Sequence, residues 1–274
     1  MAHFTVGQAA KCCVLFTLAT IKAFGSSNAW VSIKCTMKDP YLRIDSATQP
    51  YLHQIGFMLT DLPVKDLEYL RESVKLENRK RGDVLFRQGA YPKGAFWVIS
   101  GKVKIFQITS TGIRQTLYVF TNGDLAGYRQ IITEEVYAVT AVLLEDSNIG
   151  FISNETFRRL LDTSPFFTRN VLNALAREFT VWMNRMTALV QFPVRLRLVL
   201  ALLTLHEQYR RSGSPPGVIT MTRTELAEYV GTSLETVVRA LNALKSKGLV
   251  DIKGRRILLT DPIGLVDILQ DEEP

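Results

Sequence analysis

The feature that most constrains the fold is the segment 221–244, MTRTELAEYVGTSLETVVRALNAL, in which a helical pattern breaks at one glycine and then resumes. Thr222 followed three residues later by Glu225 is typical of a capping box at a helix amino terminus. Gly231 suits the carboxyl-terminal position that requires a positive φ, and either Thr232 or Ser233 can cap the second helix. Two short helices joined by a turn that contains glycine form a helix-turn-helix. The buried face of the second helix is predicted to consist of Val237, Leu241 and Leu244.

The opposite face of the second helix carries side chains that can read DNA. This face holds Glu235, Val238, Arg239 and Asn242, at positions i, i+3, i+4 and i+7. A helix-turn-helix presents its second helix to the major groove, where an arginine can bind guanine and a glutamate can accept from cytosine. We therefore expect these four residues to contact bases. The alternative is a solvated face, on which Glu235 caps the helix and Arg239 pairs with it across one turn.

The positive charge of the chain is concentrated around this motif. The 274 residues have a net charge of +7, and residues 193–260 alone hold 11 Lys and Arg against 5 Asp and Glu. Contact with DNA phosphates favours such a local excess, whereas a membrane surface gives no reason for a helix-turn-helix. The residues expected to contact phosphates are Thr222, Thr232, Ser233, Lys245, Lys253, Arg255 and Arg256.

The first 36 residues differ in character from the rest of the chain. They contain all three cysteines, Cys12, Cys13 and Cys35, so a disulfide framework, a zinc site or an iron–sulfur cluster is not expected in the folded body. The scattered histidines likewise predict no metal site. The apolar stretch KCCVLFTLATIKAF is interrupted by Lys22 and is too short to span a membrane. We interpret residues 1–36 as a disordered or non-native leader before Met37, with a targeting segment as the alternative.

The middle of the chain changes from a helical to a strand pattern. Residues from about 51 to 78 have a helical pattern, and residues 80–151 hold short β-branched and aromatic runs separated by glycines. This spacing predicts an antiparallel sandwich or roll. A long helix follows, whose large apolar residues alternate at spacings of three and four and indicate a coiled-coil dimer; packing on its own domain is the alternative. The predicted dimer seam is Leu172, Leu175, Phe179, Trp182, Met186 and Leu189.

The order of these elements resembles the Crp/Fnr superfamily, the catabolite activator protein type of transcription factor. The resemblance covers roughly residues 51–265 and rests on RGDVLFRQGAYPKGAFWVISGKVKIF and, more specifically, on TRTELAEYVGTSLETVVRALNALKSKGLV followed by the wing GRRILLTD. It implies a homodimer that reads a palindromic site, with Glu235 and Arg239 at the family's base-reading positions. Leu234 and Val238 stand where many members have Arg and Ser, so the family's half-site is not carried over.

The effector site departs from the family pattern. Members that bind cyclic nucleotides carry a cassette of the form G-E-L…R-S, but here Tyr128, Tyr137 and Ala138 align with its Glu, Arg and Ser. A buried phosphate without a counter-charge is costly, so cyclic AMP is not expected to bind. Heme is disfavoured because no histidine lies between residues 53 and 206, and an iron–sulfur cluster because the cysteines lie only in the leader. The candidate pocket for an unknown effector consists of Gly123, Asp124, Tyr128, Arg129, Tyr137 and Thr140.

These observations predict an α+β protein with an antiparallel β-roll, a long dimerisation helix and a carboxyl-terminal winged helix-turn-helix. The predicted ranges are 1–36 for the leader, 37–162 for the cyclic-nucleotide-binding-like roll, 163–192 for the dimerisation helix and 193–274 for the DNA-binding domain. The expected function is transcription regulation by a cytoplasmic homodimer, with double-stranded DNA, a small-molecule effector and RNA polymerase as candidate partners and no membrane contact. An enzyme is not expected, because the sequence has no nucleophile–base set, P-loop or metal-ligand spacing. The alternative is a regulatory or scaffold subunit whose roll binds a ligand and whose winged helix binds protein.

Overall fold

The computed structural model describes residues 40–271 apart from 53–55, 60, 214 and 216. The leader and all three cysteines lie outside the described residues, so what the sequence predicts for them stays a prediction. The helices are α1 (Pro40–Thr48), α2 (Val64–Ser73), α3 (Arg129–Thr133), α4 (Asn154–Thr163), α5 (Pro165–Gln191), α6 (Val194–Arg211), α7 (Arg223–Val230), α8 (Leu234–Ser246) and α9 (Pro262–Asp271), with 3-10 turns at Gln49–Tyr51 and Gly56–Leu59. The strands are β1 (Lys75–Arg79), β2 (Val84–Phe86), β3 (Gly94–Ser100), β4 (Val103–Ile108), β5 (Arg114–Phe120), β6 (Leu125–Ala126), β7 (Thr140–Leu143), β8 (Ser147–Ser153), β9 (Val218–Thr220), β10 (Val250–Lys253) and β11 (Arg256–Leu259).

The first eight strands form the antiparallel roll that the sequence predicts. They make two four-stranded sheets, in the orders β1-β8-β3-β6 and β2-β7-β4-β5. Side chains from both sheets share one core, in which Val98, Val103, Leu125 and Ile149 are fully buried. Several central strands bury consecutive residues rather than alternate ones, for example Gly94–Phe96 of β3 and Val103–Phe106 of β4, so both faces of these strands are largely covered.

One strand of the roll was predicted wrongly. The helical interpretation of residues 51–78 extends too far, because Lys75–Arg79 is strand β1 and pairs with β8. Its sequence KLENR has no apolar alternation, and Leu76 is 73% exposed. β1 lies at the end of its sheet, where burial does not impose a pattern, so the sequence gives little sign of a strand.

The long helix α5 connects the roll to the carboxyl-terminal domain. Ser164 caps it by accepting a hydrogen bond from the backbone N–H of Phe167 at 3.3 Å, and Pro165 occupies the first turn, where its missing N–H has no cost. The inward stripe of the helix packs against the roll core. This stripe includes Phe167, Val171, Ala174 and Val181.

The carboxyl-terminal domain surrounds α6. Residues 198–209 of this helix are all buried, and α7, α8, α9 and the three-stranded sheet β10-β11-β9 pack around it. The predicted wing is the β10–β11 hairpin, with Gly254 in its turn at a φ of 56°. β9 was not predicted; Tyr209 fixes its position by donating a hydrogen bond to the carbonyl of Thr220 at 3.0 Å. No helix in the described part of the chain is long and apolar enough to cross a membrane.

Helix α1 packs on the carboxyl-terminal domain, although the predicted boundaries put residues 37–162 in the roll. Ile44 is 1% exposed and belongs to the core formed around α6. Arg43 forms an ion pair with Asp267 of α9, and Asp45 lies 3.4 Å from Arg211 of α6. The apolar faces of α6 and α9 require a cover, and a helix from the other end of the sequence supplies it.

Candidate functional site

The helix-turn-helix has the local geometry that the sequence predicts. The hydroxyl of Thr222 accepts from the backbone N–H of Glu225 at 3.1 Å, and the Glu225 carboxylate accepts from the Thr222 N–H at 2.8 Å. These two bonds complete the capping box at the start of α7. Gly231 ends the helix at a φ of 72°, which favours glycine. Of the two candidate caps for α8, Ser233 is the one used, because it accepts from the N–H of Thr236 at 3.2 Å.

The recognition-helix candidate α8 exposes all four predicted base-reading residues. Its apolar stripe of Val237, Leu241 and Leu244 is at most 2% exposed and packs in the core with α7. The opposite face, with Glu235, Val238, Arg239 and Asn242, is exposed. Within the described residues, Glu235 and Arg239 form no ion pair with each other or with another side chain.

The wing carries exposed cations shortly after α8 in the sequence and belongs to the same domain. Lys253, Arg255 and Arg256 are exposed on the β10–β11 hairpin. Lys245 at the end of α8 lies 3.1 Å from Asp251, and Lys253 lies 3.8 Å from the same carboxyl group. The pKa of Asp251 is lowered by a hydrogen bond from the Ile252 N–H and by Lys245. Both lysines are exposed, so these pairs contribute little to the stability of the domain.

The three hydroxyl residues predicted to contact phosphates differ in availability. Thr222 is half-buried, and its hydroxyl already donates to Glu225 at 2.8 Å. The predicted phosphate contact would therefore replace this bond to the Glu225 carboxylate, while the two bonds of the capping box could remain. The Ser233 side chain is exposed, although its hydroxyl shares a 2.9 Å hydrogen bond with that of Thr236. Thr232 is half-buried in the turn.

Arg223 is a residue that the sequence reasoning missed. Its guanidinium donates to the carbonyl of Gly254 at 2.9 Å and so ties the start of α7 to the turn of the wing. The two residues are 31 positions apart in sequence. In the sequence, Arg223 is only a basic residue directly after the N-cap Thr222, and this position does not by itself indicate a contact with the wing.

The apolar seam on α5 differs in part from the predicted one. Leu172, Phe179 and Met186 are exposed, as predicted, but Leu175 and Trp182 pack partly against the roll core and Leu189 is half-buried. The Trp182 ring meets the Tyr118 ring edge-on with centroids 5.7 Å apart. Five large apolar residues of this helix are at least 51% exposed and are called here the α5 outer face: Leu172, Phe179, Met183, Met186 and Val190.

The predicted effector residues do not surround one open pocket. Tyr128 and Arg129 line a cavity of about 40 Å³ between the roll and α5. Gly123, Asp124, Tyr137 and Thr140 are not in its lining. Asp124 accepts from the N–H of Thr121 at 2.8 Å, Thr140 accepts from that of Gln88 at 3.0 Å, and Tyr137 donates to the carbonyl of Gly94 at 2.8 Å. These polar groups therefore stabilise loops of the roll.

A carboxylate of α5 occupies the polar side of this small cavity. Glu178 accepts from the Tyr128 hydroxyl at 2.9 Å and from Arg129 at 3.2 Å, and its side chain is 5% exposed. Burial raises the pKa of Tyr128, and the Glu178 charge raises it further. Burial also raises the pKa of Tyr137 to about 12, so both phenols remain protonated donors at neutral pH. Glu178 gave no sequence signal, because an acidic residue on a long amphipathic helix is ordinarily solvated.

Comparison with known proteins agrees with this architecture. A cyclic nucleotide-binding domain model matches residues 76–164, and a Crp-like helix-turn-helix domain model matches residues 196–268. The chain is 30% identical over 207 residues to the transcriptional activator protein anr of Pseudomonas aeruginosa, covering 74% of this chain and 84% of that protein. It is 31% identical over 170 residues to the cyclic AMP receptor protein of Thermus thermophilus, covering 62% of this chain and 76% of that protein.

A solved structure extends the comparison to the fold. The c-di-GMP-responsive regulator CLP of Xanthomonas campestris superposes with a TM-score of 0.63 at 23% identity, over 72% of this chain and 99% of that one. At this identity the likeness concerns architecture alone. Two domain models in the expected order and a relative matched over most of its length settle the family. This chain belongs to the Crp/Fnr family of transcription regulators, which are DNA-binding proteins and not enzymes.

Proposed function

We propose that two copies of this chain pair through α5 and read a palindromic DNA site, one half-site for each α8. The observation that carries the proposal is the outward face of α8, where Glu235, Arg239 and Asn242 are exposed. Arg239 has no ion-pair partner among the described residues, so its guanidinium is available for the two acceptors of guanine. Glu235, one turn earlier, would accept from a cytosine and orient Arg239.

The α5 outer face supports pairing with a second copy. Its members Leu172, Phe179, Met183, Met186 and Val190 follow spacings of seven, four, three and four, the pattern of a coiled-coil seam. Monomeric proteins rarely expose an apolar strip of this length. Complete burial of a fully exposed side chain of this size contributes about 1.5–3 kcal/mol. These side chains are 51–79% exposed, so five from each copy supply roughly 9–18 kcal/mol, against an association cost of about 4–15 kcal/mol. The two-fold symmetry of such a dimer matches that of a palindrome.

The roll in this proposal senses no cyclic nucleotide. A pocket of about 40 Å³ is far below the roughly 300–1,000 Å³ that ligand sites of this kind occupy. The buried carboxylate of Glu178 lines this cavity and already pairs with Arg129, the one cationic side chain among the described residues of its lining. Titration calorimetry with cyclic AMP is expected to give no binding heat. A stoichiometric heat would mean that the pocket opens and that Glu178 leaves Arg129.

The DNA contacts can be tested with three substitutions of equal charge change. The palindrome is first selected from random DNA, and binding is then measured by fluorescence anisotropy at several salt concentrations. Arg239→Ala is expected to lose about 1–3 kcal/mol on the selected site and to relax preference at one base pair. Arg256→Ala is expected to weaken binding to all DNA sequences alike and to reduce the slope of log affinity against log salt concentration by about one unit. Lys65→Ala on α2, exposed in the roll domain, is the matched control and should change neither quantity.

Two outcomes would contradict the proposal. If Arg239→Ala weakens random and selected DNA equally, then Arg239 holds a phosphate and α8 lies differently in the groove. If no sequence is enriched from random DNA, the winged helix serves a protein partner, as in a regulatory or scaffold subunit. A regulator of this kind works beside chromosomal DNA, so we also propose a cytoplasmic location, with RNA polymerase as the candidate protein partner.

A further inference from the structure

A second cavity, much larger than the one in the roll, lies where the roll, α5 and the DNA-binding domain meet. Its volume is about 310 Å³, within the range of small-molecule sites. We call it the junction cavity. Its apolar wall is formed by Leu117 of β5, Trp182 and Leu189 of α5, Leu200 and Ala201 of α6, and Val230 of α7.

Two arginines line this apolar space without a carboxylate partner. Arg185 donates to the Tyr51 carbonyl at 3.2 Å, to the Tyr229 hydroxyl at 2.6 Å and to the Leu117 carbonyl, all of which are neutral acceptors. Among the described residues, the Arg197 guanidinium donates one hydrogen bond, a long one of 3.4 Å to the Leu189 carbonyl. Within the described part of the chain, neither guanidinium lies within 4 Å of a carboxylate.

The polar groups of the cavity are also incompletely satisfied. Arg197 Nε is buried without a hydrogen-bond partner among the described residues, and so is the hydroxyl of Thr116. A half-buried guanidinium beside apolar side chains gains most from an anion, because its planar donors match two carboxylate oxygens. An apolar wall with two cations and no internal counter-ion is the complement of a small apolar anion.

We propose that the junction cavity binds a small apolar anion, of the class of aromatic or aliphatic carboxylic acids, and that this ligand changes the affinity for DNA. The second half of the proposal rests on the DNA-binding function proposed above. The aromatic or aliphatic body of the ligand lies against Trp182, Leu200 and Val230, and its acidic group lies toward Arg197 and Arg185.

The position of the cavity explains how such a ligand acts on α8. Tyr229 and Val230 line it and are the last two residues of α7, directly before the turn to the recognition helix. A Cβ built on Gly231 would lie 3.2 Å from the Gln115 side chain of β5 and 3.4 Å from Leu189 of α5. The turn therefore rests on the rim of the cavity, and a ligand that moves this rim re-aims α8.

A buried ion pair defines the arrangement that the ligand would shift. Lys104 of β4 lies 2.9 Å from Glu228 of α7, with side chains 8% and 14% exposed. This pair fastens the helix-turn-helix to the roll beside the cavity. In the fastened arrangement this ion pair is formed, and in the released arrangement it is broken. A ligand that makes different contacts in the two arrangements changes their populations. By reciprocity, DNA binding then changes the affinity for the ligand as well.

The test compares two fluorescent probes of similar shape and different charge on the full chain. The anionic probe is 1-anilinonaphthalene-8-sulfonate, and the neutral one is N-phenyl-1-naphthylamine. We expect one anionic probe per chain, bound at least tenfold more tightly than the neutral one. Arg197→Gln should remove this tenfold preference, whereas Arg195→Gln, an exposed arginine on the same helix outside the cavity, should keep it. Ala201→Phe should exclude both probes by filling the cavity.

The outcomes separate this inference from the proposed function. Equal affinity for the two probes, or a preference that survives Arg197→Gln, would overturn the anion site; this comparison decides even if Ala201→Phe does not fold. Saturating anionic probe should change the affinity for the selected palindrome at least threefold in the wild type and not in Arg197→Gln. Probe binding without that change overturns the regulatory half. DNA affinity measured without probe tests the proposed function on its own.

Discussion

The contact between the roll and α5 can be tested at Glu178. Its buried carboxylate accepts from the Tyr128 hydroxyl at 2.9 Å and from Arg129 at 3.2 Å. Glu178→Gln keeps the size and shape of the side chain but removes the charge. The glutamine carbonyl can still accept from Tyr128, while its amide N–H₂ and the guanidinium of Arg129 are then both donors.

The magnitude follows from the two hydrogen bonds. A bond to a charged group contributes about 1.5–3 kcal/mol, and a neutral one about 0.5–1.5 kcal/mol. The Arg129 side chain is 37% exposed, so water compensates part of its lost partner. We therefore expect Glu178→Gln to lower the free energy of unfolding by about 2 kcal/mol. Glu178→Ala also leaves the Tyr128 hydroxyl without an acceptor and should cost about 3–5 kcal/mol.

The assay is urea unfolding followed by circular dichroism, with the slope m compared between variants to confirm that the same surface unfolds. Glu155→Gln on α4 is the matched control, because it makes the same chemical change at an exposed position and should stay within about 0.5 kcal/mol of the wild type. If Glu178→Gln also stays within that margin at an unchanged m, Glu178 does not stabilise the contact between the roll and α5.

Three further predictions test other parts of the structure. Phe179→Glu should convert dimers to monomers, as measured by sedimentation at low micromolar concentration, while Thr180→Glu, exposed on the same helix, should not. If Phe179→Glu remains dimeric, the dimer interface lies elsewhere. Gly231→Ala should lower the free energy of unfolding by about 1–2 kcal/mol, because alanine resists the φ of 72° at this position, and it should also weaken DNA binding. Gly213→Ala is the control: its φ is 81° and the space around it is open, so it should lower stability without weakening DNA binding. Burial and the Arg210 charge lower the pKa of His206, which also lies 4.0 Å from Glu207, so below about pH 6.5 the unfolded chain binds a proton at this histidine that the folded chain resists. The free energy of unfolding should therefore fall as pH drops below this value, by at most about 1.4 kcal/mol per pH unit. An unchanged pH dependence in His206→Gln would contradict this.

The parts of the fold that local chemistry specifies were predictable from the sequence. Thr222 and Glu225 bond to each other across one helical turn, and Gly231 adopts a conformation that other residues resist, so the helix-turn-helix can be located without tertiary information. The four outward residues of α8 follow from the same periodicity. Their contacts with bases remain predictions, because a helix face does not reveal its depth or angle in a groove.

The seam on α5 shows where periodicity is insufficient. A helix with 3.6 residues per turn can carry two adjoining apolar stripes, one for its own domain and one for a partner. Trp182 and Met183 are neighbours in sequence, yet Trp182 packs toward Tyr118 and Met183 is 55% exposed. Spacings of three and four fit either stripe, and only the position of the roll decides between them. The ion partner of Arg129 was unpredictable for the same reason, since Glu178 is 49 residues away.

Two of the cavities beside α5 differ in the room that they leave for a ligand. On the roll side, Glu178 already joins the helix to Tyr128, and only about 40 Å³ is left open. Packed interiors deform little, so movement there would break buried hydrogen bonds. On the side of the DNA-binding domain, about 310 Å³ is open beside Tyr229 and Val230. Displacement of α7 into or away from this space would break the Lys104–Glu228 ion pair and the hydrogen bond from Arg185 to Tyr229, but the open volume leaves the helix room to move. The ligand proposed for the junction cavity would therefore act beside Tyr229 and Val230, directly before the turn that leads to α8.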